Sequence, residues 1–227
     1  MTVKLTWLSH ACVLIETDNV KILVDPFLTG NPLASAKAEE IEADYIFVSH
    51  GHADHIGDTV EIAKKNNAVV VANPEISTWL QAQGIEKIQH LQIGGAYEFA
   101  WGKAKMTYAT HSSSLPDGSY GGNPSGFIFY IDGKKIYHAC DTGLFNDMKL
   151  IGAEEIDVAL LPIGDAYTMG IDDSIKATNF IEAKKVIPIH YNTFDLIKQC
   201  PESWKEKIKK YTDCEPLVMK PGETITI

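Results

Sequence analysis

The chain has 227 residues, 45% hydrophobic and 22% charged, enough apolar material to cover buried sheets and too much for a disordered polypeptide. Thirty acidic against twenty basic residues give a formal net charge of -10, which repels polyanions, so no nucleic-acid partner is expected. No stretch approaches the roughly 18 uninterrupted apolar residues of a membrane span, and the N-terminal segment alternates like a strand where a signal peptide would carry an apolar core.

Sandwich and α/β domains of this length commonly form one unit, so residues 1–227 are expected to make a single domain. Cys12, Cys140, Cys200 and Cys214 show neither CxxC spacing nor a dense framework, a pattern that suits reduced thiols in the cytoplasm. A homo-oligomer stays open.

In chain order, residues 3–7, 11–16 and 21–24 alternate or cluster as strands, the last two joined through Asp18-Asn19. Residues 45–48 are a short apolar run ending at Ser49-His50, the way a buried strand delivers polar groups to a sheet edge. A helix is expected over 58–66, a strand over 68–72, then a helix entered through Pro74. Strands return over 97–110 and 127–139, with Asp132-Gly133 as a tight hairpin. Between them 112–126 is a Ser/Gly/Pro-rich loop.

Residues 144–151 are expected to be helical and 158–163 a strand. A helix follows over 172–183, with Asp172 or Asp173 near its N-cap, and a strand over 186–189 ends at His190. A helix after Pro201 buries Trp204, Ile208 and Tyr211 at i, i+4 and i+7 and turns the lysines of 205–210 to solvent. Two last strands flank Pro221-Gly222. Strand-rich stretches followed by helices make this an α/β (α+β) chain, with two sheets face to face and helices outside.

Ser49-His50-Gly51-His52-Ala53-Asp54-His55 places three imidazoles and a carboxylate just after an apolar strand. Histidines two apart on an extended segment project to one side, and a turn after them can fold Asp54 and His55 toward a neighbouring point. One stretch can thus serve two adjacent metal positions. Neutral imidazole with carboxylate and no thiolate suits Zn²⁺, Mn²⁺ or Fe²⁺ and leans to Zn²⁺, with Mn²⁺ the alternative.

This HxHxDH pattern, with Ala109-Thr110-His111-Ser112-Ser113-Ser114, His138-Ala139-Cys140-Asp141-Thr142-Gly143 and Pro188-Ile189-His190-Tyr191, resembles the metallo-β-lactamase superfamily. Within it the chain resembles an uncharacterised bacterial and archaeal branch of metal-dependent hydrolases related to the ascorbate-6-phosphate lactonases. The resemblance implies a four-layer αββα sandwich, metallo-β-lactamase-like, with two divalent ions per chain. His50, His52 and His111 would hold one ion, Asp54, His55 and His190 the other, and Asp141 would bridge them. Where the superfamily commonly has Gly before the bridging Asp, this chain has Cys140. If the strand stays extended there, Cys140 looks away from the face Asp141 presents and packs as a small apolar group.

The reaction so implied is hydrolysis of a small ester, lactone, thioester or phosphodiester by hydroxide activated at a binuclear metal centre, with Asp54 orienting the nucleophile and carrying its proton. A nucleic-acid phosphodiesterase or ribonuclease would use the same motif but bring a basic surface, and a non-catalytic metal-binding protein would not need an open site. Ser112, Ser113 and Ser114 read as loop and hydrogen-bonding residues, and the 112–126 and 164–170 loops as the pocket rim. Asn192 is a candidate donor to substrate. His10 divides between packing and support of the site, while His90 and His138 read as surface or core residues.

Overall fold

The computed structural model describes residues 2–227. A first sheet is built from β1 (Lys4–Ser9), β2 (Cys12–Glu16), β3 (Lys21–Val24), β4 (Tyr45–Phe47), β5 (Val69–Ala72) and β6 (Ile88–His90). The second contains β7 (Ala96–Phe99), β8 (Gly102–Tyr108), β9 (Ser125–Ile131), β10 (Lys134–His138), β11 (Val158–Pro162), β12 (Lys185–Ile189) and β13 (Glu215–Pro216), and β14 (Thr224–Thr226) returns to the first. The orders are β14-β1-β2-β3-β4-β5-β6 and β13-β12-β11-β10-β9-β8-β7.

Apolar residues of both sheets meet in one core, where Phe47 packs edge to face on Phe127 and Phe129 at 5.2 and 4.9 Å. Helices α2 (Thr59–Asn66) and α3 (Pro74–Ala82) cover the outer face of the first sheet. Helices α4 (Met148–Gly152), α5 (Ile171–Ile181) and α6 (Pro201–Tyr211) cover the second. The result is the αββα sandwich. Among the described residues no helix is long and apolar enough to cross a membrane.

Several local expectations are met by mechanism. Asn73 caps α3 by accepting from the Ile76 amide at 2.9 Å, with Pro74 in the first turn. Asp132 and Gly133 both take positive φ, 49° and 75°, as a two-residue hairpin between β9 and β10 requires. Others are corrected. Helix 144–151 shrinks to α4, because the Gly143 amide is tied to the Thr110 carbonyl at 2.9 Å and holds the chain before Met148 away from helical geometry. The cap of α5 is Gly170, so Asp172 and Asp173 lie in the first turn, where carboxylates face unpaired amides. Tyr211 is 55% exposed while Trp204 and Ile208 are fully buried. The strands flanking Pro221-Gly222 do not pair with each other: β13 runs parallel to β12 and β14 antiparallel to β1, one extending each sheet. Edge strand β6, three residues without alternation to reveal it, was not anticipated.

Strands β1, β3, β4 and β5 point the same way in the first sheet, and β8, β10, β11 and β12 in the second. Their carboxyl ends therefore open onto one rim. There the one-turn helix α1 (Ala53–Ile56) follows His52 and stops at Gly57. Gly57 has φ 34°, and a Cβ on it would lie 2.2 Å from the Pro26 carbonyl oxygen, in the loop leaving β3. Gly57→Ala should therefore cost at least about 2 kcal/mol and lower the melting temperature by about 4–8 °C. Thermal denaturation checks it; an unchanged midpoint would show that the two loops are not locked together.

Candidate metal centre

Each candidate residue sits just beyond a strand end on that rim. His10 follows β1, Asp25 β3, His50 β4, His111 β8, Asp141 β10 and His190 β12, while α1 carries Asp54 and His55. Donor atoms of His50, His52 and His111 lie within 4.8 Å of one another, as do those of His10, Asp54, His55 and His190. Asp141 stands between the sets. Its Oδ2 is 3.5 Å from His111 Nε2, 3.2 Å from His55 Nε2 and 3.0 Å from His190 Nε2. All seven positions read from the sequence are brought together, with His10 added to them.

The orientation of these rings decides what the cluster can hold. Buried His55 Nε2 and both ring nitrogens of His190 have no hydrogen-bond partner, and neither has Asp141 Oδ1. His190 Nε2 and His55 Nε2 lie 3.0 and 3.2 Å from Asp141 Oδ2 without a well-aligned hydrogen bond to it, and the donor atoms of His10, Asp54, His55 and His190 all lie within 4.8 Å of one another. Burying such groups unpaired is costly. A divalent cation among these atoms would give the Nε2 atoms of His55 and His190 a partner, so the donor set fits a metal of the Zn²⁺ or Mn²⁺ type.

Asp25, which the sequence reading passed over, orients the imidazoles. It is fully buried, accepts from the Ser49 amide at 2.8 Å and the Ser49 hydroxyl at 2.6 Å, and takes His55 Nδ1 at 2.8 Å. The Ser49 hydroxyl, having donated to Asp25, accepts from His50 Nδ1 at 2.9 Å. Both imidazoles thus carry a proton on Nδ1 and turn Nε2 to the cluster, where His50 Nε2 meets His52 Nδ1 at 3.0 Å and His55 Nε2 lies 3.2 Å from Asp141 Oδ2. A signal existed: Val24-Asp25 ends an apolar strand as Val48-Ser49-His50 does.

His10 plays a comparable part for Asp54. Fully buried, it is held by Thr193 Oγ1 at 2.9 Å on Nδ1 and meets Asp54 Oδ2 at 3.2 Å through Nε2. Burial, with His190 beside it, lowers its pKa to about 4, so it is neutral. A neutral ring whose Nδ1 accepts from the threonine must donate from Nε2 to the carboxylate. Burial opposes ionisation of Asp54, but the His10 hydrogen bond and the neighbouring His55 hold it below the usual carboxylate range. Burial likewise opposes protonation of His55, and the Asp141 and Asp25 carboxylates overcome it, holding His55 above the usual imidazole range.

The remaining candidates sort by contact. Ser113 Oγ accepts from the Gly51 amide at 3.0 Å and donates to the Gly121 carbonyl at 2.9 Å, pinning the rim loop to the motif. Ser112 Oγ comes within 3.4 Å of His52 Nε2. Asn192 Oδ1 accepts from the Gln199 amide at 2.8 Å, so this oxygen closes its own loop. His138 is buried, donating to the Ala11 carbonyl at 3.0 Å, and His90 is exposed. Cys140 is not extended: φ is 53°, so strand alternation does not set its direction. Its sulfur faces His138 Nδ1 at 3.1 Å, fully buried, and burial followed by the Asp25 charge pushes the thiol well above its ordinary pKa. A surface hollow of about 420 Å³ lies at the opposite ends of β3, β4 and β5; its lining has one carboxylate, Asp44, and no imidazole.

The beta-lactamase superfamily domain model matches residues 4–190. A UPF0173 metal-dependent hydrolase of Bacillus cereus is 50% identical over 230 residues, covering 99% of this chain and 100% of that protein. The structure of Igni18, a metallo hydrolase from the hyperthermophilic archaeon Ignicoccus hospitalis, is 39% identical with a TM-score of 0.91, covering 100% of this chain and 99% of that one. An isothiocyanate hydrolase from Delia radicum gut bacteria shares the fold at 19% identity and a TM-score of 0.80, over 99% of this chain and 98% of that one. The chain belongs to the metallo-β-lactamase superfamily and is one of its metal-dependent hydrolases.

Proposed function

We propose that this hydrolase works with two divalent ions, His50, His52 and His111 holding one, Asp54, His55 and His190 the other, and Asp141 between them. The observation that carries the reading is the pair of donor sets, Asp54, His55 and His190 in one and His50, His52 and His111 in the other, each with donor atoms within 4.8 Å of one another and with Asp141 Oδ2 within 3.5 Å of His55, His190 and His111. Imidazole-rich ligation favours Zn²⁺, with Mn²⁺ the alternative. Two such ions supply Lewis acidity and lower the pKa of water toward neutrality. The substrate is a small ester, lactone, thioester or phosphodiester, cleaved by solvent-derived hydroxide.

The chain's own residues divide the work. Asp54 has one oxygen anchored by His10 and its side chain 29% exposed, so it is both fixed and reachable. It orients the attacking water, takes its proton and passes it to the leaving group. Asp25 and Ser49 hold the Nε2 atoms of His55 and His50 inward, and Thr193 fixes the tautomer of His10. Cys140 stays out of coordination, its thiol protonated. With net charge -10, the reading takes residues 1–227 as one cytoplasmic domain acting on small molecules, with no nucleic acid or membrane as partner.

Elemental analysis after loading with Zn²⁺ or Mn²⁺ should find close to two ions per chain; a reproducible value at or below one would sink the binuclear reading. Asp141→Ala removes the charge between the two sets and should lower occupancy of both. Asp54→Asn should keep more metal yet lose at least about a hundredfold in kcat. Metal content and turnover on a panel of lactones, thioesters and p-nitrophenyl phosphodiesters test this. Wild-type turnover by fully loaded Asp54→Asn would make Asp54 a mere ligand. Cys140→Gly gains about 1 kcal/mol from relief of the left-handed backbone and loses about as much in buried contacts. It should keep its metal content; a large loss with the fold preserved would put the sulfur in the site.

A further inference from the structure

The surroundings of the donor cluster are asymmetric. Beside His52 lies the polar loop with Ser112, at 3.4 Å from its Nε2, and Ser113, bonded to the Gly51 amide. Beside His10 lie two phenylalanines. Phe27 and Phe194 each meet the His10 ring edge to face, at 5.6 and 5.5 Å, and lie 6.2 Å from each other. His10 in turn touches Asp54 and lies tilted 43° against His190 at 4.0 Å, so it joins the two phenylalanines to the second donor set.

Phe194 is 38% exposed and Phe27 half-buried. An apolar ring left in water costs free energy at about 25 cal/mol per Å², and a mobile loop would turn it inward. This one is clamped. Thr193 is buried against His10, the Asn192 amide is tied to the Ile197 carbonyl at 2.9 Å, and Asn192 Oδ1 fastens Gln199. On the other side Asp58 Oδ2 accepts from the Leu28 and Thr29 amides at 2.9 Å each, and the Asp58 amide donates to the Pro26 carbonyl at 2.8 Å. Two aromatic rings held rigidly beside a polar cluster are the composition of a ligand pocket.

Charge narrows the ligand. All twenty basic residues are lysine and the sequence contains no arginine, so the planar fork that grips phosphate or carboxylate is missing from this chain. The lysine on the Phe194 loop, Lys198, is exposed and paired with Asp195 at 2.8 Å.

We propose that Phe27 and Phe194 form the wall that receives an uncharged aryl or similarly flat apolar group of the substrate, so that among the candidate substrates this site takes aryl-substituted esters, lactones or thioesters over phosphodiesters. The inference rests on the metal-dependent reading above, which supplies the anchoring point beside the wall. Phe194 sets the preference because it is the more exposed ring; Phe27 backs it.

Hydroxamates test the wall without any turnover, since they chelate metal and differ only in their substituent. Titration calorimetry on the metal-loaded protein should show benzohydroxamate binding at least about tenfold tighter than acetohydroxamate, and 4-carboxybenzohydroxamate losing most of that gain. Phe194→Ala should reduce the ratio to about threefold or less at unchanged metal content, and Phe194→Leu should retain part of it. A ratio near one in the wild type, or the same ratio in Phe194→Ala, overturns the wall. Overturning it too would be a wild-type dimer in sedimentation that Phe194→Ala dissociates with the ratio intact, because the ring would then cover a second copy. Loaded protein that binds both hydroxamates with the expected ratio but hydrolyses nothing on the panel would support the wall and count against the proposed reaction alone. Failure to retain metal would overturn both.

Discussion

The buried carboxylate of Asp25 is the constraint on which the site depends. It has no exposure to water and reaches three groups: the Ser49 amide, the Ser49 hydroxyl and His55 Nδ1. A carboxyl group is tolerated in such a place only when hydrogen bonds satisfy its oxygens. Satisfying it joins the end of β3 to the end of β4, where the Asp25 amide also donates to the Phe47 carbonyl at 3.0 Å. It also decides which nitrogen of His55, and through Ser49 which nitrogen of His50, faces the cluster. Fold closure and ligand orientation are here one set of hydrogen bonds.

The backbone contributes a second constraint. Ser9, His10, Asp25, Cys140 and His190 all have positive φ, between 45° and 112°, and all stand at strand ends on the rim. Left-handed conformation costs a non-glycine residue about 1–2 kcal/mol. It persists because a strand that simply continued would carry its next side chains above and below the sheet, whereas a left-handed residue turns the chain across the rim. The donor at that residue, or just after it, then points into the space between the sheets. Cys140 shows the logic: its own side chain is inert, but its turn is what delivers Asp141.

Legibility from sequence followed the range of the interactions. The HxHxDH stretch lies within one segment, so its spacing exposed it, and the apolar runs before His50, Asp141 and His190 placed those residues at strand ends. The meander of β1 to β3 and the Asp132-Gly133 hairpin were equally local. What escaped depends on partners far away in the chain. His10 meets Asp54 across 44 residues and Thr193 across 183, and no pattern near position 10 announces either. Asp25 looks like any turn residue until β4 is laid beside β3. The last two strands resemble a hairpin locally and are separated only because one completes each sheet edge. Cys140 was judged by strand alternation, which fails once the strand has ended at His138.

The charge balance ties these observations together. Asp25, Asp54 and Asp141 crowd three carboxylates into one rim, with Asp25 and Asp141 exposed by 0% and 3%. The imidazoles do not neutralise them by protonation. Burial lowers the pKa of His50, His52 and His111, and of His10 to about 4; among the groups resolved in the cluster only His55 is raised. With the pKa values of Asp54 and Asp141 held below the usual carboxylate range and those of most of the imidazoles lowered, the rim gathers lone pairs around a region of negative potential. Compact divalent cations fill it with several donors at once and relieve the repulsion between Asp54 and Asp141. Phe27 and Phe194 give this negatively charged rim one apolar side, with the Asp54 carboxylate held behind it by His10 and Asp195 paired with Lys198.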